Sequence, residues 1–463
     1  MRSLAWIPCV SLLASAAVAG GLEHGPIQEP EIVATVDAQL IRVGTITYAE
    51  ERDGLLYVAG TEGVAAVGAD GKPLWAARLA HADLRSIDVD ATHIAVVSQN
   101  LDVPEPASAV KSFYFGEVAD YPGFKDSSLA LLDKGRRGAV VWTTPMEGNT
   151  RVAPPGLGAV RIAYSDGRTL TLVNRADGGV GPKAKTVMSA GILEGLIGKY
   201  RDAETRNKPV YNGDGFYSAF ESELALVDPV SGTDRWRKSN HGLLSAFQNI
   251  TAGPLVWGDK LVFGNAPMPI SSATRVELTF KMNMRPKVFV ANLKGEQVWN
   301  DAIADDLGGI GSLAVHGDRL YAATNVMVAA YDSKGKSLWT VSTARKNGAL
   351  MVSPNRGVRY INGNFAVRMS PGFCMTADDR HVYVSSQERS NLTKDWTAEF
   401  QLGLKLYEKM SYGGAQVVTV LDAASGKYVE TLDAKGAILD LIMVGPNLAV
   451  IDYSQVRFFK PPA

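Results

Sequence analysis

The sequence predicts an all-β fold, an eight-bladed β-propeller of four-stranded antiparallel blades whose ring is closed by an N-terminal strand. Three observations carry this reading. Short apolar strands ending in Asp or Asn recur along the 463 residues, a glycine turn follows, and in five copies a tryptophan stands four residues after that glycine. A lone four-stranded sheet leaves both faces wet, whereas radial stacking of such sheets buries them and leaves only short edges.

The chain opens on a leader. Arg2, the apolar run 4–18 and the small-x-small stretch Ala17-Val18-Ala19 read as a secretory signal over residues 1–19, with the mature chain starting near Gly20. The run falls short of the about 20 apolar residues that span a bilayer. The expectation is a soluble protein, periplasmic or secreted, with one propeller domain over 20–463. Beyond the leader one cysteine remains, Cys374, which cannot pair within its own chain. Between Phe373 and Met375 it reads as a buried, inert thiol.

Each repeat starts with a polar turn and a strand, as in Gly317-Asp318-Arg319-Leu320-Tyr321-Ala322. A second strand ends in Asp or Asn at Asp133, Asn174, Asp228, Asn292, Asp332 and Asp422, with Gly68 in that place in the first repeat. Asp and Asn cap their own turn, and glycine supplies the positive φ of the hairpin. The Gly–Trp pairs are Gly71 and Trp75, Gly138 and Trp142, Gly232 and Trp236, Gly295 and Trp299, and Gly335 and Trp339. These five tryptophans are the predicted docking residues, each able to bury about 150–250 Å². Units fall near 54–79, 90–145, 158–182, 214–240, 257–303, 316–342 and 379–433, and an eighth starts at Ile438. The eighth lacks its last strand, which 31–36 at the mature N-terminus can supply. The third unit is weak, so seven blades is the alternative count.

Composition narrows the function classes. Lys plus Arg number 47 against 48 Asp plus Glu, so no single-sign field draws in nucleic acid or anionic lipid. The histidines show no metal-ligand spacing: His93 and His381 stand in matching places just before a repeat strand, and His316 lies in a turn. No nucleophile elbow, phosphate loop or zinc-protease helix motif is present.

The stretches Val227-Asp228-Pro229-Val230-Ser231-Gly232-Thr233-Asp234-Arg235-Trp236 and Tyr331-Asp332-Ser333-Lys334-Gly335-Lys336-Ser337-Leu338-Trp339 resemble the tryptophan-docking motif of the pyrroloquinoline-quinone-like propeller repeat. Leu421-Asp422-Ala423-Ala424-Ser425-Gly426-Lys427 is similar without the tryptophan. The resemblance implies the propeller fold. It leaves two activities open, because that family holds quinone-dependent dehydrogenases and also non-catalytic scaffolds such as the barrel-assembly lipoprotein of the bacterial outer membrane. The chain departs from both. One mature cysteine cannot make the vicinal disulfide of many such dehydrogenases, no haem-attachment motif is present, and no lipidation cysteine follows the leader.

Insertions near 99–127, 183–212, 265–286 and 387–416 map to loops, where function concentrates. The first carries Phe113, Tyr114 and Phe115. In the third, Val276, Leu278, Phe280, Met282 and Met284 alternate with polar residues as in a half-buried strand. In the fourth, Trp396, Phe400, Leu404 and Tyr407 fit a helical stripe, while Phe400, Leu402, Leu404 and Leu406 fit a strand, and Gly403 favours the strand. The segment 189–206 reads as a helix with Ile192, Leu193, Leu196, Ile197 and Tyr200 on one stripe. Phe113, Tyr114, Phe115, Trp396, Phe400 and Tyr407 are the candidate partner contacts. The expectation is an exported non-catalytic scaffold that binds a protein or another macromolecule in the cell envelope, without a cofactor. The alternative is an oxidoreductase using pyrroloquinoline quinone with calcium.

Overall fold

Hairpin follows hairpin through the chain, and each set of four strands pairs as one antiparallel sheet. The structure, a computed structural model, describes residues 25–102, 123–148, 152–167, 169–185, 207–220, 223–239, 248–267, 287–303, 310–324, 327–342, 349–350, 359–361, 364–366, 374–388, 416–436 and 438–462. Blade 1 is Ile46–Arg52, Leu55–Gly60, Gly63–Gly68 and Pro73–Arg78. Blade 2 is Leu84–Val89, His93–Asp102, Gly123–Asp133 and Ala139–Pro145. Blade 3 is Gly156–Leu157, Arg161–Ser165, Thr169–Asn174 and Val180–Lys185. Blade 4 is Val210–Tyr211, Phe216–Phe220, Glu223–Val227 and Asp234–Ser239. Blade 5 is Gln248–Trp257, Lys260–Pro267, Lys287–Asn292 and Gln297–Ala302. Blade 6 is Ser312–His316, Arg319–Ala323, Met327–Asp332 and Ser337–Ser342. Blade 7 is Met375–Ala377, His381–Glu388, Gln416–Asp422 and Tyr428–Asp433. Blade 8 is Asp440–Val444, Asn447–Ile451, Gln455–Phe459 and, from the other end of the chain, Ile32–Asp37. The count is eight, and the weak third unit is a full blade.

The middle strands read as unbroken apolar runs because both faces of each blade are buried. In Leu55–Gly60, Leu56 and Val58 join one cluster with Val444, Ile451 and Phe458 of blade 8, while Tyr57 and Ala59 join another with Ile87 and Ile94 of blade 2. The pattern repeats round the ring, so that each blade interface has its own core cluster. Innermost strands touch in a closed cycle and surround an axial channel.

The recurring hairpin works as local chemistry requires. The strand-ending Asp or Asn accepts amide bonds from its own turn: Asp228 from Val230 and Ser231 at 2.9 Å, Asp332 from Lys334 and Lys336 at 2.9 Å, and Asn292 from Lys294 and Glu296 at 2.9 Å. The Ser231 amide and the Arg235 guanidinium hold the Asp228 carboxylate well below the usual range. After the turn, a bulge leaves the residue before the tryptophan outside the ladder, which is why Leu74, Val141, Val298 and Leu338 are exposed. The tryptophan then faces the turn glycine of the next blade. A Cβ at Gly138 would lie 2.7 Å from the Trp75 ring, at Gly295 2.6 Å from Trp236, at Gly335 2.6 Å from Trp299 and at Gly426 2.6 Å from Trp339. The indole N–H of Trp142 donates to Arg175 O at 2.9 Å, that of Trp236 to Leu293 O at 3.3 Å and that of Trp339 to Ala423 O at 3.1 Å. In each case the acceptor follows the strand-ending Asp or Asn of the next blade. In blade 3, Pro182 takes the tryptophan's place against Gly232.

These glycines therefore answer two demands, a positive φ and a flat face for a ring. Gly295 has φ 75° and meets Trp236, whereas Gly258 has φ 60° and nothing within 4 Å of an added Cβ. Gly258→Ala should cost only the backbone part, about 1–2 kcal/mol. Gly295→Ala should cost about 1–3 kcal/mol more, because the indole must shift. Chemical denaturation of the two variants measures the difference.

Ring closure is doubly secured. Ile32–Asp37 pairs antiparallel with Gln455–Phe459, with Thr35 opposite Arg457 and Val36 opposite Val456. Upstream, Ile27–Gln28 pairs in parallel with the outer strand of blade 7, opposite Thr431 and Leu432. The N-terminal segment thus spans blades 7 and 8. Arg457 adds a buried ion pair to Asp452 at 2.8 Å and a bond to Ala434 O between the two blades.

Candidate functional site

Strand parity sorts the connections. Consecutive strands within a blade are antiparallel, so first-to-second and third-to-fourth turns emerge on one face of the disc. Second-to-third connections and the links between blades emerge on the other. On the first face the turns are short, the longest running from Asp228 to Thr233. All the long connections leave and rejoin on the second face: 103–122 in blade 2, 268–286 in blade 5, 389–415 in blade 7, 186–206 between blades 3 and 4, and the link between blades 6 and 7. Phe113, Tyr114 and Phe115 belong to the first of these, and Trp396, Phe400 and Tyr407 to the third. All six lie outside the described residues, as do Met282, Met284 and the stripe in 189–206. Their attachment points lie on blades 2 and 7, which follow in ring order as 7, 8, 1, 2.

The link between blades 6 and 7 did not stand out in the sequence. It carries Ala349–Leu350, which pairs with Gln387 and Glu388 at the base of the blade 7 connection, and a small hairpin of Arg359–Ile361 with Asn364–Ala366. Buried polar rungs mark where the ladders hand over to long connections. Gln99 donates to Ser127 Oγ at 3.2 Å and accepts from Val152 N at 3.0 Å. Asn265 accepts from Lys287 N at 2.8 Å, and the Ser386 and Thr419 hydroxyls meet at 2.9 Å. Their only sequence signal is a polar residue at the end of an apolar run. Nearby Arg85 is 1 % exposed and donates to Ser98 Oγ, Gly60 O and Ala80 O, stitching blade 2 to blade 1. Burial draws its guanidinium down to about 10.

The short-turn face holds His93, His316 and His381 in structural roles. The His93 and His381 amides donate to Asp90 and Asp378 at 2.8 and 2.7 Å, so both close the turn before their strand. Arg175 of blade 3 bridges Asp90 at 2.6 Å and His93 Nδ1 at 3.0 Å. His316 meets Asp379 of the next blade at 2.8 Å. Cys374 is buried, with its thiol against Leu439 O. Among the described residues no three His, Cys, Asp or Glu side chains cluster as a metal site.

Among the described residues a charged cluster stands in the axial channel, on innermost positions of blades 1 and 2 and just before the innermost strand of blade 4. Lys208 Nζ lies 2.8 Å from Glu50 Oε2 and 2.5 Å from Asp88 Oδ1. The other Asp88 oxygen accepts from Leu157 N of blade 3. Burial pushes the Glu50 carboxyl up to about 7; Lys208 pulls against this and Asp88 adds to it. Burial pulls the Lys208 ammonium down, but Glu50, Asp88 and Tyr48 together hold it well above its ordinary value. Sequence reasoning missed the cluster, since its members stand on three blades with no motif between them. The site does not fit a calcium-bound quinone, because the ammonium occupies the position between the carboxylates that a cation would take.

A pH dependence follows. Folded, Glu50 keeps a proton between its ordinary 4.5 and about 7, where the unfolded chain has released it. Stability should therefore fall as pH rises through that window, by about 3 kcal/mol at most, and level off above it. The depressed carboxylates of Asp90, Asp133 and Asp422 act only below their ordinary 3.8, outside the window. Denaturation midpoints of wild type and Glu50→Gln across this range measure the term, which the variant should lack.

Eight blades in a closed ring define a β-propeller. No protein-family model matches the sequence, and no curated protein matches it. Solved structures do match. BamB from Moraxella catarrhalis is similar at 12 % identity and TM-score 0.55, over 94 % of this chain and 98 % of that one. The C-terminal WD40 domain of Sif2 gives 12 % and 0.53 over 95 % and 100 %, and Sqt1 from Saccharomyces cerevisiae 8 % and 0.51 over 94 % and 100 %. At such identities the likeness speaks for the fold alone. Among the described residues no helix is long and apolar enough to cross a membrane.

Proposed function

We propose that the protein is an exported, non-catalytic propeller scaffold that binds a protein or another macromolecule of the cell envelope through its long-connection face. The single observation that carries this reading is the segregation of every long connection to one face. The six aromatic candidates Phe113, Tyr114, Phe115, Trp396, Phe400 and Tyr407 belong to connections rooted there. A rigid disc that presents loops on one side suits recognition, with the scaffold fixing loop attachment points. The leader over 1–19 supports a periplasmic or secreted location, and residues 20–463 form one domain. The stacking of tryptophan on the next blade's glycine supports the pyrroloquinoline-quinone-like kind of repeat.

Photo-crosslinking in cells tests the reading. A crosslinker at Phe113 or Trp396 should give discrete adducts, while one at Val230 on the short-turn face should give none. Adducts from Val230 alone, or no adducts alongside turnover of a small molecule, would contradict it. The quinone reading has its own check. A ligand at about 100 times its dissociation constant adds about 2.7 kcal/mol to stability. Quinone with calcium should leave the melting temperature unchanged.

A further inference from the structure

We propose that Glu50, Asp88 and Lys208 form a proton-closed latch across the axial channel. One proton shared by the two carboxylates, with the Lys208 ammonium bonded to both, fastens the start of blade 4 to blades 1 and 2. Loss of that proton loosens it. The latch goes beyond the binding reading and does not depend on it.

The geometry sets the need. Blades 1 and 4 are not neighbours, so a bond between Lys208 and Glu50 has to cross the channel. The innermost strands of blades 3 and 4 have only two residues each, Gly156–Leu157 and Val210–Tyr211. A ladder that short cannot hold the chain before it, and side chains substitute. Lys208 reaches Glu50 and Asp88, Asp88 takes Leu157 N, and Asn207 Nδ2 donates to Ile250 O at 2.9 Å.

The charges set the switch. With one shared proton, two carboxylates and one ammonium are neutral in sum. Without it the cluster carries one uncompensated negative charge away from bulk water, and the carboxylates repel. The neighbours do not relieve this. Tyr48 sits two residues before Glu50 and bears on Lys208. Glu51 is turned to Gly54 N, and Tyr57 stands opposite Glu50 in register. On the flanking strand of blade 8, Asp440 accepts from Leu441 N, and the Arg85 guanidinium on the blade 2 strand is taken up by Ser98, Gly60 and Ala80. The side chains of Glu50, Asp88 and Lys208 keep 20 %, 15 % and 27 % exposure, so water can deliver and remove the proton.

Amide hydrogen exchange of the full-length protein tests this, corrected for the intrinsic effect of pH. A peptide covering 207–217 should exchange about tenfold faster at about pH 8 than at about pH 6, the effect of roughly one pKa unit. In Glu50→Gln the amide can donate to Asp88 permanently, so the slow exchange should persist at both pH values. The wild type adds a readout that needs no variant: a carboxylic-acid stretch in the infrared that disappears as pH rises through neutrality. Exchange in 207–217 that ignores pH, no such band, or an unchanged pH response in Glu50→Gln would each overturn the latch.

Discussion

A chain that starts at Ala38, without the two N-terminal strands, should lose cooperative folding. The loss removes the fourth strand of blade 8 and the extra strand on blade 7. Val36 leaves the core, at about 1.5–3 kcal/mol. The ladder to Gln455–Phe459 goes with it, at about 1 kcal/mol for each bond. Val456 and Phe458, buried in the interface of blades 8 and 1, gain an open edge. The sum is at least about 5 kcal/mol, comparable with the whole stability of an ordinary domain. Circular dichroism on heating should show a broad, early transition in place of a sharp one. A synthetic peptide covering residues 25–37 should restore it when added in trans. A truncated chain that melts like the intact one would show that the ring does not need its closing strand.

Trp339→Ala should be the most costly of the single tryptophan truncations, at about 3–5 kcal/mol. Trp339 is the most buried of the five docking tryptophans, at 8 % exposure. Its ring covers Gly426 of blade 7, its N–H bonds Ala423 O, and Tyr321 lies 5.9 Å away between centroids. Removal empties a site that the rigid turn of the next blade cannot refill. By contrast Trp299, whose buried Nε1 has no hydrogen-bond partner among the described residues, forfeits packing on Gly335 and Tyr331. Denaturant midpoints of the two alanine variants should therefore separate, with Trp339→Ala the lower. Equal midpoints would mean that the indole bond contributes nothing.

What the sequence made legible was local. Asp228, Gly232 and Trp236 sit within one hairpin, so turn chemistry and spacing betray them without knowledge of the rest. The closing strand was legible for a different reason: blade 8 visibly lacked a partner, and Glu31 to Val36 was the unassigned apolar stretch. Innermost strands were not legible in the first seven repeats, each of which was read as starting at its second strand; only the eighth, read from Ile438, began at its innermost strand. Gly156–Leu157 and Val210–Tyr211 are too short to show a period. Ile46–Arg52 mixes Ala49 in the core with Glu50 in the channel, which hides its alternation. The Glu50–Lys208 pair is 158 residues apart in sequence and is brought together by the circular arrangement of the blades, not by any local pattern. Pro182 could have been found, since it stands four residues after Gly178 where other repeats carry tryptophan. The candidate contact residues were legible only as insertions, and parity of the strands, not composition, assigns the attachment points of their connections to one face.

Pairing of the N-terminal strand with the last strand completes the eighth blade and closes the ring. Asp37 and Gln455 are Cα partners in the closing ladder, within the range that a disulfide can bridge. Asp37→Cys with Gln455→Cys should oxidise to an intramolecular bond in the monomer, seen as a faster-migrating band that reduction abolishes. Free thiols after oxidation, or bonds between molecules only, would place the first and last strands apart and contradict the closed eight-bladed ring.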